Sequence, residues 1–365
     1  MRRAELPAQG LFFPAAAVYG ALLVPVSVQA LGGGGALIPG LATATDHARE
    51  LLFGYALAVV IGFLATGLRG IHLWILFGAW LAARGTNLLL PGHLSALAAD
   101  LLVVGLLAAE MLPRLLGSIR KWRNAALPAV LAGLVLAAAS YHFTAGALRQ
   151  TVMLETVLLY GLLLSFMGGR VIAPAVAGHM ERQGSTQGAR VQPALEGAQI
   201  LCLGAALVLL AVPGTAPAAG LAATLAGALG LIRLWRWRLW RVRRRGDLAA
   251  LGAGYAWVGL GLVLLGVAWT TGRPGTAMLH ALTVGGLGTL TVTVMARTRL
   301  VRARQDPARP REIPLAAVMM TTAALLRLAS QAWPAAGPAL HWGAALAWSL
   351  ALLVLLRLLF TVPAR

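Results

Sequence analysis

The sequence predicts an all-α, polytopic integral membrane protein with about twelve transmembrane helices, and three observations predict it. Hydrophobic residues fill 59% of the 365 positions and charged residues only 11%, against roughly a quarter charged in an ordinary soluble chain. Mean hydropathy is +0.80. Apolar runs of about 20 residues, the length that crosses a hydrocarbon core about 30 Å thick, succeed one another along the chain. The short breaks between them are by turns rich in arginine and nearly empty of it. Such a chain cannot present a water-facing surface, so two or three soluble domains are excluded and a single transmembrane domain, 1–365, is expected.

Taken in order, the expected spans are 11–31, 48–69, 71–90, 94–112, 124–143, 152–173, 194–212, 216–234, 249–269, 276–297, 314–333 and 338–361. Glycine and proline, the residues that stop helices and form turns, punctuate them at Gly32 to Gly35, Pro91-Gly92, Pro213-Gly214, Arg273-Pro274-Gly275 and Pro334 to Pro338. Arg2-Arg3 before the first run and Val28-Gln29-Ala30 at its end resemble a signal peptide with its cleavage site. We read this segment as a retained helix.

Charge sets the orientation. Thirty Lys+Arg against eleven Asp+Glu give +19, and Lys121 is the only lysine. Arg2 and Arg3, Arg69, the group Arg114 to Arg123, Arg182 and Arg190, Arg233 to Arg245, and Arg297 to Arg311 all fall on one side, with basic loops expected near 113–123, 233–248 and 297–313. The opposite loops hold little beyond Arg149 and Arg273. Because cytoplasmic loops accumulate Lys and Arg, both termini are expected in the cytoplasm and the chain in a bacterial inner membrane. The run Arg233-Leu-Trp-Arg-Trp-Arg-Leu-Trp-Arg-Val-Arg-Arg-Arg245 has the residue types that stack bases and grip phosphates. At a helix end it reads more simply as an interfacial anchor, with tryptophan at headgroup depth and arginine on anionic lipid. The bilayer is then the expected partner, and no nucleic acid is needed.

Cys202 is the single cysteine, which excludes an intramolecular disulfide and a CxxC redox pair. Any metal would fall to histidine, methionine or carboxylate. Of seven histidines, His47, His142 and His280 lie at outer helix ends, His93 and His341 in outer loops, and only His72 and His179 on the cytoplasmic side. Imidazole ligates metals and handles protons, and ionisable residues at membrane depth are functional candidates; the alternative for each is a hydrogen bond to a helix-end carbonyl. His47 and Glu50 share a helix face that continues through Gly54 and Ala58, leaving room for a flat macrocycle or for a close helix neighbour. The glycine-rich run His280-Ala-Leu-Thr-Val-Gly-Gly-Leu-Gly288 implies a large partner or a tight crossing. Arg84 and Asp100 are nearly equidistant from the Pro91-Gly92 turn, so a helical hairpin sets them at matching depth, where they neutralise each other. Glu155 and Arg327 have no evident partner; the first has the chemistry to carry protons, the second to clamp a cofactor carboxylate. Phosphate-loop, His-Glu-x-x-His and dinucleotide signatures are absent, and no internal repeat supports an inverted-repeat transporter.

Several strings resemble the NnrS family of haem- and copper-associated membrane proteins of the bacterial response to nitric oxide. The clearest is His280-Ala-Leu-Thr-Val-Gly-Gly-Leu-Gly-Thr-Leu-Thr-Val-Thr-Val-Met-Ala-Arg297. His47-Ala-Arg-Glu-Leu-Leu-Phe-Gly-Tyr55 with Ile61-Gly-Phe-Leu-Ala-Thr66 looks like the family's second-helix motif, and Gly168-Gly-Arg-Val-Ile172, Gly254-Tyr-Ala-Trp257 and Tyr141-His-Phe143 match shorter patterns in the expected order. Arg49 stands where the family usually shows a second histidine, and Gly252 where another precedes Gly254-Tyr-Ala-Trp257. The resemblance therefore implies one haem b or metal site in the outer half of the bilayer, with His47 and His280 as ligands and His142 the next candidate. Copper is the less favoured metal. Glu50 would orient a ligand or relay a proton, and Arg327 would hold a cofactor carboxylate. Nitric oxide or another small gas, a redox partner and a homo-oligomer are the implied partners; the reaction stays open. Two other readings stand beside it: a proton-coupled transporter lined by His47, Glu50, Glu155 and Arg327, and a cofactor-free subunit of a membrane redox complex.

Overall fold

The computed structural model describes residues 6–186, 191–242, 244–273 and 275–364; Arg2, Arg3, Arg190, Arg243 and Pro274 lie outside the described residues. The chain is 84% helical, with no strand among the described residues. Among the described residues eleven helices are long and apolar enough to cross a membrane: Ala8–Gly34, Ala44–Leu64, Leu94–Gly117, Trp122–Phe143, Gly146–Arg182, Pro193–Leu210, Ala216–Arg236, Gly246–Thr270, Thr276–Arg302, Glu312–Ala332 and Pro334–Thr361. Gly70–Leu89, at 20 residues, supplies the remaining one, the third in chain order; at 1.5 Å per residue it reaches about 30 Å. It is less apolar than the others because it carries Arg84, Thr86 and Asn87, and its arginine is neutralised from neighbouring helices. Below, the spans are numbered first to twelfth in this order.

Each expected span is present, and the differences have local causes. The second begins at Ala44 because Thr43 caps it: the threonine hydroxyl accepts from the Asp46 backbone N–H while the Asp46 carboxylate accepts from that of Thr43, a reciprocal pair that satisfies two otherwise orphaned donors. His47 thus sits inside the first turn. The sixth runs for 37 residues, about 55 Å, and so projects beyond a hydrocarbon core. His341 belongs to the twelfth helix, contrary to its expected place in a loop. The three basic stretches are shorter as loops than expected, since residues 113–117, 233–236, 246–248 and 297–302 continue the helices.

The first and last spans close the bundle on each other. Trp348 Nε1 donates to the Gly20 carbonyl at 3.0 Å and the Ser349 hydroxyl to that of Ala21 at 2.7 Å, while Phe12, Phe13, Ala16 and Ala17 on the first span are fully buried. A 2.6 Å hydrogen bond between the hydroxyls of Tyr55 and Thr291 joins the second span to the tenth. At the arginine-rich end, Trp235 and Trp240 are exposed, as anchors should be, but Arg233 and Trp237 are buried. Arg233 donates to Gln199 Oε1 at 2.7 Å, to Tyr255 Oη at 3.0 Å and to the Ser165 carbonyl at 3.1 Å, so only part of the Trp/Arg run can serve at the interface.

Candidate functional site

Three of the described spans carry π-helical turns: the first at its closing end, over Ala30–Gly34, and, further inside, the two that carry the expected ligands. The second is π-helical over Glu50–Ala56, just past His47, and the tenth over Ala281–Gly288, directly after His280. A π-segment widens the helix by one residue per turn and re-aims the side chains ahead of it; such segments recur at functional sites.

His47, His280 and Arg327 come together at the arginine-poor end. Arg327 Nη2 donates to His280 Nε2 at 3.2 Å, and the other ring nitrogen, Nδ1, lies 2.8 Å from the Thr276 carbonyl. A carbonyl only accepts and a guanidinium only donates, so these two partners fix the tautomer: the proton is on Nδ1 and the lone pair on Nε2. Anchoring one ring nitrogen on a backbone carbonyl is how proteins aim the other at a metal. His47 lies within electrostatic range of both Arg327 and His280, as does His341. Its Nδ1 is buried without a hydrogen-bond partner, as is Arg327 Nε.

The other two expected site residues, Glu50 and His142, enter a different group. Glu50, fully buried, takes Arg49 Nε on one oxygen at 2.9 Å and Arg84 Nη1 on the other at 2.8 Å, and the second oxygen also accepts from the Tyr19 hydroxyl. Arg84 continues to Asp100 at 2.6 Å, the pairing expected from the hairpin. The second Asp100 oxygen is 2.9 Å from His142 Nε2. Beside this chain, Tyr141 donates to Asp46 at 2.6 Å and lies beneath the guanidinium of Arg49. Glu50 therefore does not orient His47, and His142 is committed to a carboxylate. Tyr19, Arg49 and Tyr141 were not expected from the sequence; the adjacent Arg49-Glu50 in an otherwise apolar run was the available signal. Glu155 is half-buried with no hydrogen bond or ion pair among the described residues.

The glycine faces are filled by protein. A Cβ on Gly54 would sit 2.5 Å from Tyr19 Cε1 and 3.1 Å from Arg84 Cδ, and one on Gly285 or Gly288 would strike the ring of Trp257 or Trp348 at 2.6–2.7 Å. Both runs are tight helix crossings, the alternative to a macrocycle cradle. A separate, wholly apolar cleft lies towards the arginine-rich side between the second, sixth, ninth and tenth spans, lined by residues that include Phe63, Met167 and Val294.

Tested against the donors present, a group taking two imidazole nitrogens fits the His47–His280 pair, because His280 Nε2 carries a lone pair and His47 Nδ1 lacks a partner. Among the described residues no group of three or more His, Cys, Asp or Glu side chains is placed to hold a metal ion. No curated protein matches the chain. The family model described as NnrS protein matches residues 10–363, which takes in every span described above. The chain therefore belongs to the NnrS family.

Proposed function

We propose that the protein binds a haem, or a metal in its place, in the arginine-poor half of the bilayer, and that the site serves nitric oxide binding, detoxification or electron transfer. One observation carries the reading: two histidines from distant spans converge ahead of two π-helical segments, each with a ring nitrogen that a cofactor would use. Bound there, a haem would supply an iron whose axial ligands and surroundings decide between gas binding and electron transfer.

The chain's own residues do the rest. Thr276 holds the His280 ring by its Nδ1–H, keeping Nε2 available as a base. Arg327 now donates to that nitrogen and would release it to a ligand, taking a cofactor carboxylate instead. Packing of Trp257 and Trp348 on the tenth-span glycines excludes water from below the site. The positive-inside rule places the arginine-rich face and both termini in the cytoplasm, and the histidines towards the far side of a bacterial inner membrane. A redox partner or a second copy of the chain would meet it from that membrane.

The test is an absorption spectrum of detergent-purified protein produced with ample haem. A Soret band that is lost in His280→Ala and weakened or shifted in His47→Ala supports the reading. Wild-type protein that stays colourless removes the haem.

A further inference from the structure

At the arginine-poor end, positive and neutral nitrogen groups gather with no acid among them. His280 and Arg327 lie within electrostatic range of each other and of both His47 and His341. Among the described residues no carboxylate forms an ion pair with Arg327. The buried carboxylates described in this half of the protein are engaged elsewhere: Glu50 and Asp100 by Arg49, Arg84 or His142, and Asp46 by Thr43 and Tyr141. Arg327 itself uses Nη2 on His280, while its Nε–H is buried without an acceptor, and His47 Nδ1 is buried without a partner.

Partly burying a guanidinium with no counter-ion, and with its Nε–H left without an acceptor, is unfavourable, and the same set of groups is what an anion site requires. The planar fork of arginine matches two oxygens held about 2.2 Å apart, as in a carboxylate, and charge-assisted bonds of this kind are the strong ones. Imidazole supplies one further donor in the tautomer that the ligand selects.

We infer that the Arg327–His280–His47–His341 cluster binds a small planar monoanion with two acceptor oxygens, a carboxylate or its isostere. Arg327 provides the charge and the fork, His47 a second donor, and His280 Nε2 is uncovered as the guanidinium turns to the anion. The inference deepens the reading of this site given above and rests on it, and its own observation is the placement of Arg327 against His280. Two sources share the chemistry: a free anion, or the carboxylate arm of a cofactor.

The experiment uses the full-length, cofactor-free protein in detergent, with thermal unfolding followed against formate and nitrite and against chloride at matched ionic strength. A ligand that binds only the folded state raises the unfolding temperature as its concentration passes the dissociation constant. The expected result is a saturable rise with formate and nitrite but not chloride. Arg327→Gln weakens it at least about tenfold, because charge-assisted bonds contribute about 1.5–3 kcal/mol and each 1.4 kcal/mol is tenfold. Arg327→Lys, which keeps the charge without the fork, falls between. Arg273→Gln, an exposed arginine on the same face, leaves the rise unchanged. Haem loading that abolishes the formate response assigns the site to a cofactor carboxylate; loading that spares it assigns a free anion. Absence of saturation, or equal responses in wild type and Arg327→Gln, overturns the inference. Colourless protein that still saturates with formate removes the haem reading alone.

Discussion

Within one turn of the second span, His47 and Glu50 enter two polar groups that are wired in opposite ways. Around Glu50, two carboxylates and two guanidinium groups alternate, the Asn87 carbonyl and His142 close the ends, and Tyr19 donates to Glu50 between them. Charge sums to zero, and both carboxylates have their oxygens engaged. Around His47 the count is different: a guanidinium, three imidazoles, no acid, and two buried nitrogen atoms without partners. Arg84 Nε is also buried without an acceptor, but every charge in the Glu50 group is paired, and a charge-paired buried network is a structural device; the Arg327 charge has no ion pair among the described residues. An unsatisfied buried atom in a native structure calls for an explanation, and beside a charge with no ion pair a bound anion supplies one. The comparison locates the site by where the wiring stops.

The largest effect should come from cutting the saturated group. Arg84→Met strands Asp100 as a buried carboxylate and takes one of its two arginines from Glu50, and breaking a buried pair from one side costs about 3–5 kcal/mol. Chemical or thermal unfolding in detergent should show it as a large loss, or as failure to accumulate folded protein. The double variant Arg84→Met, Asp100→Asn, which removes one charge of each sign and leaves the Arg49–Glu50 pair, should recover most of that loss. If it does not, the network has a role beyond neutralisation and the contrast with the His47 group blurs.

Next in size is the packing that separates the two groups. Gly54→Ala places a methyl 2.5 Å from Tyr19 Cε1 and 3.1 Å from Arg84 Cδ, and overpacking a tight crossing costs about 1–3 kcal/mol. Gly85→Ala, on the third span with nothing within 4 Å of the added carbon, should instead leave stability unchanged or raise it by up to about 1 kcal/mol through helix propensity. Opposite signs for two Gly→Ala changes in neighbouring spans would place the constraint at Tyr19 and Arg84. Equal signs would make Gly54 an ordinary helix glycine.

His280→Ala should cost about 1–2 kcal/mol of stability, well below Arg84→Met, because it removes one half-buried ring with two hydrogen bonds. In the same samples the cofactor spectrum should vanish. A large stability loss here would move His280 into the structural class with Arg84.

How much of this was legible in the sequence follows from the period of each signal. Spans are long, and their apolar runs and arginine alternation average over about 20 residues, so all twelve were readable. Arg84 with Asp100 was readable because a hairpin turn converts sequence distance into depth. Arg49, Tyr19 and Tyr141 were not, because they meet across the first, second and fifth spans, and nothing in a single chain reveals which faces of non-neighbouring helices meet. The same holds for Arg327 on His280: each was singled out, but their 3.2 Å contact needs the eleventh span to pack on the tenth. The glycine runs illustrate the remaining ambiguity. A missing side chain looks the same in sequence whether a macrocycle or a tryptophan fills the space, and only the packing of Trp257 and Trp348 decides it.

The smallest effect lies at the arginine-rich end, where the contrast between satisfied and unsatisfied groups can be tested in water. Asp247, fully buried, is held by Arg245 at 3.0 Å and by Arg297. Asp306, half-exposed in the loop before the eleventh span, shares Arg245 at 3.2 Å. The backbone N–H of Ala308 and, after it, the positive charge of Arg245 hold the Asp306 carboxyl below its usual range. Its folded-state proton affinity is thus lower than in the unfolded chain, so its contribution is fully present above about pH 4, the ordinary aspartate value. It is lost as pH falls through the depressed folded value. Because the group faces solvent, that contribution is a few tenths of a kcal/mol at most and shrinks with salt. Asp306→Asn should therefore flatten the acid limb of stability between about pH 5 and pH 3 by that small amount at low ionic strength, and by nothing measurable in high salt. A loss several times larger would mean that Asp306 supports Arg245 in holding Asp247, extending the saturated network to the membrane surface.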